Sequence, residues 1–193
     1  MSDTKSGFSI ERRGLELRFR NVTLSAREWL APDFVRVRLT GSDLAGFESL
    51  GSDDHMRLFF PAGPVGSVEE LRASPSREYT PLAWGEDWLD VEFAVHGDQG
   101  VAAPWAANAP IGSTIGVGGP RGSAVLEGQP GSWLLVGDET AAPAIARILE
   151  DAPRDLRGIL LSTALALFLI DAIIVALLGG AIASLFRRRA VAT

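Results

Sequence analysis

The chain has 193 residues, with 24 acidic, 18 basic and two histidine side chains and no cysteine. That length fits one main domain with an appendage, and the missing cysteines exclude disulfides, thiolate metal sites, iron–sulfur clusters and Cys nucleophiles. Twenty-one glycines and eleven prolines exclude a helical bundle, and the net charge of −6 hides an acidic body: residues 1–157 carry 15 basic and 23 acidic side chains, which argues against nucleic acid as a partner.

The opening MSDTKSGFSIERRG is polar and lacks the apolar stretch of a secretory signal, so the body is expected to begin in the cytoplasm. Leu15–Arg20 and Phe34–Thr40 alternate apolar and charged residues and read as strands with one wet face. Met56–Phe60 stops at Pro61, Asp90–His96 alternates again, and Thr114–Gly118 is closed by Gly119-Pro120-Arg121-Gly122. Gly, Pro, Asp and Ser clusters separate these runs. Short strands at such spacing predict a mainly β fold, a six-stranded antiparallel barrel over residues 1–128. Ser132–Val136 then reads as a buried strand, Gly137-Asp138-Glu139-Thr140 as a turn, and Ala141–Glu150 as a helix with Pro143 in its first turn and Ile145, Ile148 and Leu149 at helical spacing. This opens a doubly wound nucleotide domain but ends at once, leaving a βα stub over 129–157. A lone unit of this kind cannot bury both faces of a sheet.

From Ile159 to Phe186 run 28 residues whose one charge is Asp171. A helix of that length spans about 42 Å, enough to cross a hydrocarbon core of ~30 Å. Sixteen Leu, Ile, Val and Phe contribute roughly −7 kcal/mol against about 3 kcal/mol for Asp171. Residues 158–187 are therefore expected to form a single transmembrane helix, with a basic tail over 188–193. Arg187, Arg188 and Arg189 favour placing the tail in the cytoplasm; the signal-free start favours placing the body there.

Candidate chemistry lies between Arg77 and Arg147. In Arg77-Glu78-Tyr79-Thr80-Pro81, a strand puts Arg77 and Tyr79 on one face. Arg77 offers a fork for phosphate, Tyr79 a flat surface and Thr80 a hydroxyl, although a solvated surface strand would look the same. His96-Gly97-Asp98-Gln99-Gly100-Val101-Ala102-Ala103 reads as a strand end, a glycine loop and a helix start whose free N–H groups suit an anion, or as an ordinary turn. With His55 the only other histidine, a His-based metal site is not expected. Singly these stretches are unspecific; their order and spacing together are not.

The series LTGSDLAGFESLGSDDHMRLFFP, REYTP, LDVEFAVHGDQGVAAPWA, IGVGGPRGS and LLVGDETAAPAIARILE resembles the siderophore-interacting protein family. Its members are FAD-dependent ferric-siderophore reductases related to ferredoxin-reductase-type flavoproteins. The likeness runs over roughly residues 15–150. It implies that Arg77 contacts an FAD phosphate, that Tyr79 stacks on the isoalloxazine, and that Thr80 bonds near its reactive nitrogen. By the same resemblance His96, Gly97, Gly100, Ala102 and Ala103 surround the pyrophosphate, and Gly137, Asp138, Glu139, Thr140 and Pro143 begin an NAD(P)H-binding domain. The implied reaction reduces Fe(III) held by a siderophore and releases Fe(II), with no protein ligand to iron. The implied partners are a ferric siderophore and a membrane iron-uptake component or separate electron donor. Leu82 departs from the family's usual Arg, Val101 from Pro and Pro104 from a polar residue, and the nucleotide domain breaks off near Pro153. Two readings follow: a membrane-anchored reductase module with its barrel in the cytoplasm, and a non-catalytic remnant that at most binds flavin.

Overall fold

The computed structural model describes residues 7–97, 100–128, 130 and 132–151. All but Asp151 lie in one compact unit, Met1–Glu150. Nine strands and three α-helices are formed by these residues: β1 (Ser9–Gly14), β2 (Phe19–Ala31), β3 (Phe34–Thr40), β4 (Met56–Phe59), α1 (Val68–Ala73), β5 (Ser76–Tyr79), β6 (Ala83–Trp84), β7 (Trp88–Ala94), α2 (Ala102–Asn108), β8 (Thr114–Gly118), β9 (Gly122–Glu127) and α3 (Ala142–Asp151).

Seven strands make one antiparallel sheet in the order β5-β4-β8-β2-β3-β7-β6, and β1 pairs with β9 in a separate two-stranded ribbon. The long strand β2 makes the sheet curl. Its first residues pair with β8, and from Thr23 onward it pairs with β3. Register shifts at Leu24/Ala26 and Trp29/Ala31 bend it there, as an extra residue in one strand of a ladder does. The concave face buries Val22, Leu24, Val35, Val37, Leu39, Met56, Leu58, Leu89, Val91, Phe93, Ile115 and Val117, and Leu44, Phe47 and Ala106 join that cluster. Every second residue of β3 and β7 enters this core, which is the period-2 alternation of the sequence made physical. Arg27 of β2 fastens α2 to the sheet by donating to the carbonyls of Ala106 (2.5 Å) and Ala109 (2.6 Å).

The mainly β class expected from the sequence holds, with three corrections. The sheet has seven strands rather than six and is a half-barrel rather than closed, since β5 and β6 each have one neighbour. Leu15–Arg18 is not strand, and Leu17 stands 58% exposed; the alternating pattern lacks a partner until Phe19 meets Gly118. Ser132–Val136 is irregular, with Leu134 and Val136 more than four-fifths exposed. No strand among the described residues pairs with it, and an unpaired extended segment has nothing to satisfy its backbone or cover its side chains.

The expected helix at Ala141–Glu150 is present as α3. No helix among the described residues is long and apolar enough to cross a membrane. The expected span 158–187 and the basic tail 188–193 lie outside the described residues.

Candidate cofactor site

β5 is short and ends just before Pro81, which has no N–H to extend a ladder. Its register places Arg77 opposite Leu58 and Tyr79 opposite Met56, two core residues of β4. Arg77 and Tyr79 therefore share the concave face. Because β5 is an edge strand, that face runs past the core into an opening, so Arg77 is exposed and Tyr79 half-buried. The Arg77 guanidinium donates to the Ser76 carbonyl (2.8 Å) and makes no ion pair among the described residues. The Tyr79 ring packs against Phe93, centroids 4.3 Å apart, and edge-on to Phe60. Burial pushes its phenol up to about 12, the positive charge of Arg77 opposing, so Tyr79 is a neutral, apolar surface over the ordinary pH range.

The opening is a cavity of about 660 Å³, within the ~300–1,000 Å³ of small-molecule and cofactor sites. Arg77, Glu78, Tyr79 and Thr80 form one wall, and Phe34, Glu92 and Ala94 a second. Gly100, Val101, Ala102 and Ala103 form a third, and Thr140, Ala141, Pro143 and Ala144 a fourth; Asp53 and His55 close one corner. Glu92 is held by Arg36 at 2.6 Å. Gly100 adopts φ +82, which disfavours any side chain, and nothing stands within 4 Å of where its Cβ would be. No side chain caps α2, which follows directly after Val101.

Of the thirteen residues that the resemblance points to, the cavity gathers Arg77, Tyr79, Thr80, Gly100, Ala102, Ala103, Thr140 and Pro143. The other five do not line it. His96 lies beyond the end of β7 and pairs through Nε2 with Glu139 Oε1. Gly97 makes the turn after it at φ +70. Asp138 caps the short turn Glu139–Ala141, accepting from the Thr140 N–H (3.0 Å) and hydroxyl (2.6 Å). Those two bonds, the hydroxyl first, pull its carboxyl below the usual Asp range. The Glu139 carboxyl is lowered by its own backbone N–H and then by His96. Gly137 has no room for a side chain, since a Cβ would meet that of Ala141 at 2.4 Å.

Asp53, His55, Glu78, Glu92 and Phe34 were not among the expected residues. Asp53-Asp54-His55, three titratable residues directly before β4, is the one sequence signal that could have pointed there.

A second groove of about 460 Å³ adjoins the cavity, and His55 and Glu78 line both. Arg18, Arg57, Arg72 and Arg121 surround it, with Phe19 and Phe59 as its apolar part. Arg57 is bound by Glu78 at 2.8 Å and Arg18 by Glu16 at 3.4 Å, while Arg72 lies 4.6 Å from the centre of the Phe19 ring. In a body of net negative charge this is a local concentration of cations.

The profile of the siderophore-interacting FAD-binding domain matches residues 23–74 and 63–124, and that of the siderophore-interacting protein matches residues 131–164. The chain belongs to the siderophore-interacting protein family. FAD is the cofactor of the domain, and the cavity fits it, with an open cation, a half-buried aromatic face and side-chain-free backbone at Gly100. An NADPH-dependent ferric-chelate reductase of Escherichia coli is 40% identical over 148 residues, covering 70% of this chain and 58% of that protein. A ferric vibriobactin reductase of Vibrio cholerae is 32% identical over 150 residues, covering 68% of this chain and 54% of the relative. Among solved structures, a siderophore utilization protein from T. fusca superposes with a TM-score of 0.64 at 34% identity, over 77% of this chain and 61% of that one. The chain thus spans little more than half the length of the curated relatives it matches.

Proposed function

We propose that this chain is the flavin-carrying module of a ferric-siderophore reductase. The observation that carries the reading is the shared wall. A cavity suited to FAD and a groove ringed by four arginines meet at His55 and Glu78. When bound, FAD supplies a two-electron store that can be emptied one electron at a time into Fe(III). Arg77 would hold its phosphate, Tyr79 its ring system and Thr80 a polar edge of the ring. Gly100, Ala102 and Ala103 would present backbone N–H groups to the pyrophosphate, with His96 and Gly97 shaping the loop behind them.

Siderophores bind Fe(III) through anionic oxygens, and the Arg-lined groove matches such a chelate in charge. Iron remains with its chelator, and no set of three or more metal-ligating side chains is assembled among the described residues. The Gly137–Thr140 turn and α3 would be the start of the NAD(P)H-binding part. In this reading residues 1–128 carry flavin, 129–157 begin the nucleotide domain, 158–187 tether the module to a membrane and 188–193 anchor the tether by charge. The tether would hold the barrel on the cytoplasmic side, beside an iron-uptake component or an electron donor.

The exposed Leu134 and Val136 favour a second reading, a module that binds flavin but does not itself accept hydride. The test is the visible spectrum of the full chain purified in mild detergent, before and after FAD is added, followed by anaerobic NADPH. Flavin that is bound and bleached by NADPH supports the complete reductase. Flavin that is bound but stays oxidised supports the second reading, and a protein that never takes up flavin overturns both.

A further inference from the structure

The helical spacing of α3 predicts Ile145, Ile148 and Leu149 on its packed face, yet the residues it buries are Pro143, Ala144 and Arg147. Arg147 is 7% exposed. An arginine in that position is rarely buried unless its donors are used, and here they are. Nη1 donates to the Ser49 hydroxyl (2.9 Å) and the Pro81 carbonyl (3.2 Å), and Nη2 donates to the Ser49 carbonyl (2.9 Å). The guanidinium carbon lies 4.9 Å from the centre of the Trp84 ring.

Both hydrogen-bonding partners, Ser49 and Pro81, are joined to a boundary of the flavin cavity. Pro81 directly follows Thr80, so its carbonyl fixes the end of the Arg77–Thr80 wall. The Ser49 hydroxyl, while accepting from Arg147, donates to Asp54 Oδ2 at 2.8 Å. That oxygen also accepts from the Ser123 hydroxyl (2.6 Å) and the Gly51 N–H (3.1 Å). Asp54 is buried and stands between Asp53 and His55, which form the corner. The fourth wall includes α3 itself, through Pro143 and Ala144. Arg147 does not line the cavity, yet one guanidinium reaches three of its boundaries.

We infer that Arg147 is a positioning residue that sets the spacing of the strand, corner and helix walls around the flavin, an inference that rests on the flavin reading above. The chemistry suits that task. A planar guanidinium holds several acceptors in a fixed fork, whereas an ammonium or a thioether of similar length does not. Wall displacements on the order of 1 Å are enough to change function about a hundredfold.

The test compares the full chain with R147K, R147M and S49A in mild detergent. It measures the FAD dissociation constant by flavin fluorescence, the visible circular dichroism of bound flavin, and the melting temperature without FAD. The expected result is FAD binding by the wild type, roughly tenfold weaker binding by R147M with a changed dichroism band, and intermediate values for R147K and S49A. If R147M does not fold, R147K and S49A must still show weaker binding and a changed band. Folded variants that melt earlier but bind FAD with wild-type affinity and dichroism would give Arg147 a merely structural role and overturn the inference alone. A wild type that takes up no FAD overturns the flavin reading, and the inference with it.

Discussion

Asp90–His96, which alternates, and Ser132–Val136, which is continuously apolar, both read as strands in the sequence, and the first is realised within β7. In β7 every residue meets a counterpart in β3, and Leu89, Val91 and Phe93 are fully buried. In Ser132–Val136 no ladder forms among the described residues, and Leu134 is 85% exposed. The difference lies in the neighbours rather than in the segments. A strand exists through pairing, and apolar character alone does not supply a partner. The flavin half of the chain carries its own partners, while the described part of the nucleotide half does not.

The largest effect that would break this comparison is at Phe93, which supports the Tyr79 ring from the core. Phe93→Ala should cost about 3–5 kcal/mol in urea unfolding and remove FAD binding with it. A loss below 1 kcal/mol would mean the half-barrel core is not packed as described.

Tyr79 gives the next test. It is the chain's one tyrosine, so phenolate absorbance reports it alone. Its titration should centre near 12 in the folded protein, against about 10 in the unfolded chain. The unfolded state then loses its proton first, so stability should fall as pH rises from about 10 towards 12. A midpoint near 10 would place the ring in water and remove it as a flavin platform.

A smaller and more local change is expected at Asp138, whose cap on the Glu139–Ala141 turn belongs to the nucleotide half. Asp138→Ala should speed amide hydrogen exchange through the start of α3 and leave β3 and β7 unchanged. Acid should do the same to the wild type. The Asp138 carboxyl lies below its ordinary value, so the cap is complete above that ordinary value and is lost as pH falls through the lowered one.

The smallest effect sharpens the contrast. Leu134→Ser should change stability by less than about 0.5 kcal/mol, as exposed substitutions do, whereas Leu89→Ser in β7 should be severe. Equal losses at the two positions would show that Leu134 is covered after all.

Much of the fold was legible because period-2 alternation reports a sheet with one buried face. Phe34–Thr40 formed the strand that its pattern predicts, with Val35, Val37 and Leu39 inside. Strand β5 was legible too, since the Arg-x-Tyr-Thr run ends at its own terminator, Pro81. Leu15–Arg20 misled because alternation says nothing about whether a neighbouring strand begins at the same place. The cavity's corner was hidden because Asp53 and His55 reach it through a fold that brings the end of an irregular loop beside β5.

By itself, then, the sequence determined the β class, strand β5, the glycine loop before α2 and the start of α3, all of which depend on residues close together in the chain. Tertiary structure alone decided that the sheet stays open at β5, that the opening meets an arginine groove at His55 and Glu78, and that Arg147 turns inward from α3. Each of those depends on contacts between residues far apart in the chain, and no local period or propensity encodes which distant acceptors a guanidinium will find.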